Sequence, residues 1–169
     1  VSIDTYSSDV AKAGVKAGAS MVNDISSGDM DEAMIPVVAA LRTPYICMHM
    51  QGTPDTMQKD PQYENVSLTV LDYLAGKVDQ CRKAGMDDII IDPGFGFGKT
   101  IAHNFALLQS LPALQIIKRP VMVGLSRKST ICKTLHITAE EALNGTTVLH
   151  TIALMNGANI LPEHDVRAD

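Results

Sequence analysis

The sequence lacks the features that mark disulfide-rich, membrane-spanning and nucleic-acid-binding proteins. Its three cysteines, at positions 47, 81 and 132, are an odd number and lie far apart, which favours reduced thiols over a disulfide framework or a zinc site. No apolar run approaches the ~20 residues needed to cross a bilayer, and nothing at the start resembles a signal peptide. The net charge of −5 argues against a surface for nucleic acid or anionic membranes. These absences predict a soluble, cytoplasmic enzyme without nucleic-acid or membrane partners.

Two common nucleotide-binding motifs are also missing, although the chain has a glycine-rich segment at 92–100. A Walker A loop needs glycine five positions before its Gly-Lys pair, and that position is Pro93. The dinucleotide motif G-x-G-x-x-G is absent because Gly94, Gly96 and Gly98 are spaced two and two. The segment therefore needs another explanation.

The glycine-rich segment follows an apolar run and begins with a carboxylate. Residues 89–91 are three isoleucines, which predicts a strand buried on both faces, as in a parallel sheet. Asp92 ends this run, and the proline and alternating glycines after it predict an irregular loop. Enzymes with α/β folds place ligands at the carboxyl ends of such strands. We expect Asp92 to lie in a ligand site; the alternative is that it caps the next helix and the glycines only form a tight turn.

One pattern recurs along the chain: a helical segment, an apolar strand, and a polar residue where the strand ends. The pattern predicts helices over 7–18, 29–42, 64–84, 104–111 and 139–156. It also predicts six strands, which end next to Asp4, Asn23, His49, Asp92, Ser126 to Lys128, and His164. Alternation of this kind implies an α/β fold with parallel strands and right-handed crossovers.

The positions of the polar strand ends depend on whether the sheet is a closed barrel or open. In a closed barrel they converge on one mouth, whereas in an open sheet they spread along an edge. At 169 residues, 46% of them hydrophobic, the chain can bury one sizeable core and is one domain or part of one. Because it begins in mid-strand at Val1, we expect an incomplete (β/α)8 barrel of about six parallel strands.

Six short segments repeat the motifs of one known family, in that family's order. They are Val-Ser-Ile-Asp-Thr (1–5), Val-Asn-Asp-Ile-Ser (22–26), Met-His-Met-Gln-Gly (48–52), Asp-Pro-Gly-Phe-Gly-Phe-Gly-Lys (92–99), Gly-Leu-Ser-Arg-Lys-Ser (124–129) and His-Asp-Val (164–166). With them the chain resembles the dihydropteroate synthases. The resemblance implies a (β/α)8 barrel that lacks its first two units and its last helix, so that 1–169 is a partial pterin-binding domain.

The resemblance also implies a reaction and its partners. The family condenses 6-hydroxymethyl-7,8-dihydropterin diphosphate with p-aminobenzoate, giving 7,8-dihydropteroate and pyrophosphate in folate biosynthesis. It uses Mg²⁺, is commonly a homodimer and is the target of sulfonamides. The family's Mg²⁺-linked asparagine would lie before Val1, so we expect the 169-residue chain alone to have little or no activity.

Five residues match the family's pterin-binding positions. The resemblance assigns Asp92 to the amino group and ring N–H of the pterin, and Lys128 to its carbonyl and a ring nitrogen; both are the expected catalytic residues. Asn23 would bind the mixed donor and acceptor face of the ring, and Asp4 another ring N–H. Gly124 would keep the space beneath the ring open.

The remaining matches concern the other substrate and the leaving group. Phe97 and Ser126 would lie on the aminobenzoate side, and His164 would contact pyrophosphate. The family carries arginine two positions before this histidine, where the chain has Pro162 followed by Glu163. Proline lacks charge and an N–H, and we expect Glu163 to add negative charge where anions bind.

Each assignment has a structural alternative. Asp4 could cap the helix at 7–18, and Asn23 with its neighbour Asp24 could cap the segment at 29–42. Lys128, next to an arginine, could belong to a solvated basic turn. His49, between two methionines, could serve only the core. For the whole chain, the alternatives to a synthase are a methyltetrahydrofolate-binding methyltransferase domain and a non-catalytic pterin-binding remnant.

Overall fold

The computed structural model describes residues 1–163, which alternate strands with helices. The elements, in chain order, are β1 (Ser2–Asp4), α1 (Ser8–Lys16), β2 (Met21–Asp24), α2 (Met34–Leu41), β3 (Tyr45–Met48), α3 (Val66–Lys83), β4 (Ile89–Asp92), α4 (Ile101–Gln109), a 3₁₀ helix (Leu111–Ile117), α5 (Ser129–Leu135) and α6 (Leu143–Met155). The four strands form one parallel sheet in the order β1-β2-β3-β4. Sequential parallel neighbours joined by helices are the repeating unit of a (β/α) barrel.

Two further segments extend the sheet without forming regular strands. Val121 makes a parallel bridge to Ile91, and Met122 makes one to Ile160. The six predicted strand positions are therefore occupied in order, by four strands and two single bridges. The run 121–123 lies between a proline and a glycine, and both residues weaken a strand ladder, which explains why the pairing stays short.

The register of the sheet aligns the polar strand ends. Asp4 pairs with Asn23, and Met48 pairs with Asp92. Neighbouring strands lie about 4.8 Å apart, so the first and fourth strand ends are within ~15 Å of each other along the sheet. The prediction that the polar strand ends share one edge is confirmed for these strands.

A buried turn after β2 makes α2 shorter than predicted. The carboxylate of Asp24, which is fully buried, accepts hydrogen bonds from the N–H groups of Ser26 at 2.8 Å and Gly28 at 2.7 Å and from the Tyr45 hydroxyl at 2.7 Å. This turn occupies the residues predicted as the start of the helix, so α2 begins at Met34 rather than at 29. The alternative in which this strand end caps α2 is wrong.

Asp4 does not cap α1 either. The N–H of Ser7 donates to the Thr5 hydroxyl at 3.0 Å, and the N–H of Ser8 donates to the Asp31 carboxylate at 2.7 Å. These two side chains bind the N–H groups of the N-cap, Ser7, and of the first helical residue, Ser8. The Asp4 carboxylate lies at the end of β1 and does not serve as a helix cap.

Two other helices begin at residues that differ from the prediction, and helix α5 was not predicted. Helix α4 begins at Ile101 instead of 104, because Thr100 and His103 form a capping box around its first turn. Helix α6 begins at Leu143 instead of 139. Helix α5 has only seven residues, too few to show a clear hydrophobic period, and the sequence pattern did not predict it.

The core lies between the sheet and the helices that pack against it. Its largest fully buried side chains include Tyr45, Phe95, Met34, Leu74, Ile89, Ile91, Leu107, Leu111, Leu114 and Leu125. They come from strands, helices and the glycine-rich loop, so one continuous core supports the edge of the sheet where the polar strand ends lie.

Replacing a core leucine of α3 tests this packing. Leu74→Ala should lower the free energy of unfolding by about 2–5 kcal/mol, because it opens a cavity at a fully buried position. Leu68→Ala in the same helix is the matched control, since Leu68 is 56% exposed, and should change the free energy by less than about 0.5 kcal/mol. Urea denaturation monitored by circular dichroism measures both. Equal losses in the two variants would contradict the packing described.

Candidate active site

The carboxylate of Asp92 lies buried at the carboxyl end of β4, with 6% of the residue exposed. Its Oδ1 accepts the N–H of Gly94 at 2.7 Å, which starts the glycine-rich loop. Burial raises the pKa of Asp92, while the charge of Lys128, the Gly94 N–H and the charge of Lys99 act in the opposite direction. Asp92 does not cap α4, because Thr100 holds that position. It is a buried acid with two cations nearby, as expected of a ligand site.

The loop at 93–98 has no regular structure, yet every carbonyl group from 94 to 98 accepts a hydrogen bond from a side chain. Lys99 donates to Gly94 at 2.9 Å and to Phe97 at 3.0 Å, Lys128 to Phe95, Gln58 to Gly96 at 2.6 Å, and Tyr63 to Gly98 at 2.8 Å. A buried carbonyl without a donor costs about 1–3 kcal/mol. The four donor side chains therefore fix the shape of a loop that the backbone alone leaves undefined.

Two of the loop's glycines are required by close backbone contacts. Gly94 and Gly98 have φ angles of 70° and 61°, in the left-handed region. A Cβ atom on Gly94 would collide with the carbonyl oxygen of His49, and one on Gly98 with that of Gln51. The glycines thus let the loop pack directly against the backbone that follows β3.

His49 is an internal contact of this packing. It is 4% exposed, and its Nδ1 lies 3.0 Å from the Lys99 ammonium. Its ring packs edge-on against Tyr73, with 5.0 Å between the ring centroids. Burial and the neighbouring Lys99 charge lower the pKa of His49 to about 3. The neutral imidazole accepts from the ammonium, so the core alternative for His49 describes what the structure shows.

Lys128 is the second cation whose charge acts on Asp92. Its ammonium donates to the carbonyl of Phe95 and lies 4.8 Å from the centre of the Phe97 ring. Burial lowers the pKa of Lys128, and the charge of Asp92 acts in the opposite direction. The neighbouring Arg127 points elsewhere and donates to the carbonyl of Glu140 at 2.8 Å. This pair is not a solvated basic turn, because both cations are committed to the fold.

Gly124 lies next to this lysine. A Cβ atom at that position would be 3.7 Å from the Lys128 ammonium and 3.7 Å from the Pro162 ring. Gly124 therefore lies beside the Lys128 ammonium, and its role beneath a pterin ring stays a prediction. Ser126, two residues on, is 3% exposed.

Asn23 and Asp4 occupy adjacent strand ends at the other side of the sheet. The Oδ1 atom of Asn23 is buried and has no hydrogen-bond partner. An unpaired buried carbonyl is costly and marks a position where a ligand can supply the donor. Asp4 is exposed at the free edge of β1. Both positions agree with the predicted placement; their roles remain predictions.

The last described residues differ from what the sequence suggested. Pro162 is exposed, whereas the carboxylate of Glu163 lies 2.6 Å from Nδ1 of His150 on α6. One carboxylate oxygen of Glu163 is therefore held by the helix, and the expectation that its charge opposes anion binding stays a prediction. His164 lies outside the described residues.

Three residues that hold the site were missed by sequence reasoning. Lys99, Gln58 and Tyr63 support the loop at 93–98 by donating to its backbone carbonyls. Gln58 and Tyr63 lie outside the quoted motifs, so no local signal points to them. Lys99 directly follows the glycines, but its spacing does not fit a Walker A loop.

Within residues 1–163, no group of three or more His, Cys, Asp or Glu side chains is arranged to hold a metal ion. The carboxylate at the mouth, Asp92, is already engaged by a backbone N–H and faces two lysines. A role for Mg²⁺ stays a prediction that depends on the resemblance.

The parallel sheet and its helices define a (β/α)8-barrel protein with an incomplete barrel, and polar residues lie at the carboxyl ends of its strands. The sequence profile of the pterin binding enzyme family matches residues 1–164, and the chain belongs to this family. This confirms the resemblance and the predicted fold class.

Proteins of known identity support the assignment. The chain is 38% identical over 169 residues to dihydropteroate synthase of Escherichia coli, covering 99% of this chain and 60% of the relative. A dihydropteroate synthase from Thermus thermophilus, solved in complex with 4-aminobenzoate, superposes with a TM-score of 0.95 at 37% identity, over 99% of this chain and 66% of that one. The Xanthomonas albilineans enzyme, solved with 7,8-dihydropteroate, gives 0.90 at 38% identity, over 99% and 62%.

The chain spans about 60% of the length of the curated relatives it matches. No helix among the described residues is both long and apolar enough to cross a membrane.

The state of His49 can be measured directly. Its imidazole should remain neutral from pH 8 to pH 5, because its pKa lies at about 3. Since an unfolded histidine takes up a proton near pH 6.5, this group should also lower the free energy of unfolding as the pH falls from 6.5 towards 3. Two-dimensional NMR of the imidazole nitrogens, assigned with His49→Gln, follows the titration. A His49 midpoint above pH 5 would contradict the described packing.

Proposed function

We propose that the protein is a dihydropteroate synthase, which joins 6-hydroxymethyl-7,8-dihydropterin diphosphate to p-aminobenzoate and releases pyrophosphate. The observation that carries the proposal is the buried Asp92 carboxylate, faced by two ammonium groups at the mouth of the barrel. It is supported by relatives that are dihydropteroate synthases and that bind 4-aminobenzoate or 7,8-dihydropteroate.

Pterin recognition would use the two sides of the mouth. The amino group and adjacent ring N–H of the pterin are both donors, and the Asp92 carboxylate can accept both; such charge-assisted bonds are stronger than neutral ones. The unpaired Oδ1 of Asn23 would accept a further ring N–H. Lys128 would donate to the pterin carbonyl, with Gly124 leaving room for the ring. Asp4, at the end of the neighbouring strand β1, would accept another ring N–H of the pterin.

The second substrate and the leaving group would lie towards the loop. The Phe97 ring, under the Lys128 ammonium, offers a flat wall to the aminobenzoate ring, with Ser126 alongside. The Lys128 ammonium near the mouth would supply positive charge that favours a diphosphate. His164, as the family position for pyrophosphate, would add to this.

The reaction breaks the bond between the pterin methylene carbon and a diphosphate oxygen, and the electron pair leaves with pyrophosphate. Positive charge then spreads from the methylene carbon into the pterin ring, where the Asp92 carboxylate stabilises it. The arylamine nitrogen forms the new bond to the methylene carbon and loses a proton. Because an arylamine is weakly basic and largely unprotonated, its attack depends on positioning by the Phe97 side of the site more than on a strong base.

Replacing Asp92 tests pterin recognition. Asp92→Asn should weaken the binding of 6-hydroxymethyl-7,8-dihydropterin by about 10- to 100-fold, because an amide cannot accept both pterin donors with a full charge. Asp88→Asn is the matched control. Asp88 is exposed and directly precedes β4, at the end of the strand away from Asp92, so this variant should leave the affinity unchanged. Isothermal titration calorimetry on the 169-residue chain measures both. Equal affinities for Asp92→Asn and the unaltered chain would exclude this role for Asp92.

Adding pyrophosphate separates a synthase from other pterin-binding proteins. In a synthase site the two ligands share one ordered pocket, so saturating pyrophosphate should tighten pterin binding by about 5-fold or more. A methyltetrahydrofolate-binding domain handles no pyrophosphate and predicts no coupling. Pterin binding without any effect of pyrophosphate would therefore argue against the synthase and for one of the alternatives.

A further inference from the structure

The ammonium group of Lys99 is the most heavily engaged charge in the loop region. The residue is 3% exposed, and its Nζ lies 3.0 Å from His49 Nδ1, 3.3 Å from the His49 carbonyl, 2.9 Å from the Gly94 carbonyl and 3.0 Å from the Phe97 carbonyl. An ammonium group has three donors and no acceptor. Four acceptors at these distances use its full capacity, so the charge is committed to the protein and does not reach a ligand.

Two of these acceptors belong to residues that touch the proposed pterin-binding side chains. Gly94 accepts from Lys99 through its carbonyl and donates its N–H to the Asp92 carboxylate at 2.7 Å. Phe97 accepts from Lys99 through its carbonyl and places its ring 4.8 Å from the Lys128 ammonium. The Lys99 ammonium thus contacts one residue that binds Asp92 and one residue that contacts Lys128.

The charge is kept at this position at an energetic cost. Burying an ammonium group is unfavourable by several kcal/mol unless its partners compensate. The charged or titratable groups that face Lys99 are Asp92 at the end of β4, which attracts it, Lys128 before α5, which repels it, and the neutral His49 after β3. Burial, opposed by Asp92 and reinforced by Lys128, lowers the pKa of Lys99 to about 7.

We propose that Lys99 is a positioning residue for the pterin site: its ammonium fixes the loop at 93–98 against the backbone after β3, and so sets Asp92 and Lys128 in their places. Through Gly94 and Phe97, it determines where the carboxylate and the second ammonium lie without touching the pterin itself. The effect on ligand binding rests on the proposed function; the effect on the loop does not.

Lys99→Met tests this in the 169-residue chain, because methionine keeps most of the length of the side chain and removes all its donors. Without ligand, amide hydrogen exchange at Phe97, whose N–H donates to the Gly94 carbonyl at 3.1 Å, should become about tenfold faster or more. Exchange in α3, around Leu74, should stay unchanged. Lys99→Arg, which keeps the charge, should recover part of the protection. Lys12→Met, at an exposed lysine of α1, is the matched control and should change neither.

Binding of 6-hydroxymethyl-7,8-dihydropterin to the same variants gives the second readout. Lys99→Met should weaken binding by about tenfold, and Lys12→Met should not change it. Unchanged exchange at Phe97 in a folded Lys99→Met variant overturns the proposal, as does unchanged affinity. If no variant and not even the unaltered chain binds the pterin, the proposed function fails, while the exchange result still decides the role of Lys99 in the loop.

If Lys99→Met does not fold, a pH series on the unaltered chain tests whether Lys99 holds the loop. The neutral amine has two donors instead of three, so the NMR amide signals of Gly94 and Phe97 should shift together with one midpoint, at pH 7 to within about one unit. The Val70 amide in α3 is the reference and should not share this midpoint. Signals of Gly94 and Phe97 that do not titrate together overturn the proposal.

Discussion

Three charged groups at the carboxyl end of the sheet constrain the rest of this structure, two of them buried and Lys128 half-buried. Asp92, Lys99 and Lys128 come from a strand end, the end of the glycine loop and the segment before α5. Burial favours the neutral form of each, raising the pKa of Asp92 and lowering those of the two lysines. The carboxylate stabilises both ammonium groups, and together they offset part of its burial. Burial outweighs these attractions, because the pKa shifts of all three groups are towards the neutral form.

The glycine-rich loop carries this charge arrangement. Glycines at 94 and 98 allow the loop to lie directly on the backbone after β3, because any side chain there would collide with a carbonyl oxygen. The same freedom leaves the loop without a preferred shape. The side chains of Lys99, Lys128, Gln58 and Tyr63 supply that shape by donating to its carbonyls. The loop therefore needs both the backbone freedom of its glycines and the hydrogen bonds from these four side chains.

Much of the fold could be predicted because its signals are local. The isoleucines before Asp92 and the polar residues at successive strand ends lie next to each other in the sequence, and the parallel sheet follows from their alternation with helices. The bounds of α2 could not be predicted in the same way. They depend on the contact of Asp24 with Tyr45, 21 residues away.

The same distinction between local and long-range signals applies to the residues of the candidate site. The placement of Asp92, Asn23 and Gly124 followed from strand ends and a family resemblance. The role of Lys99 did not, because its acceptors at His49, Gly94 and Phe97 meet only in the folded chain. The contact of Glu163 could not be predicted for a similar reason, since its partner on α6 is 13 residues away and on a different element.

The most direct test of the account is a crystal structure of the 169-residue chain with 6-hydroxymethyl-7,8-dihydropterin. The account predicts both Asp92 carboxylate oxygens within ~3.2 Å of the amino and ring nitrogens of the pterin, the Lys128 ammonium at its carbonyl, and the Asn23 Oδ1 paired with a ring N–H. A pterin bound away from Asp92, or with its amino edge turned to Lys128, would contradict it.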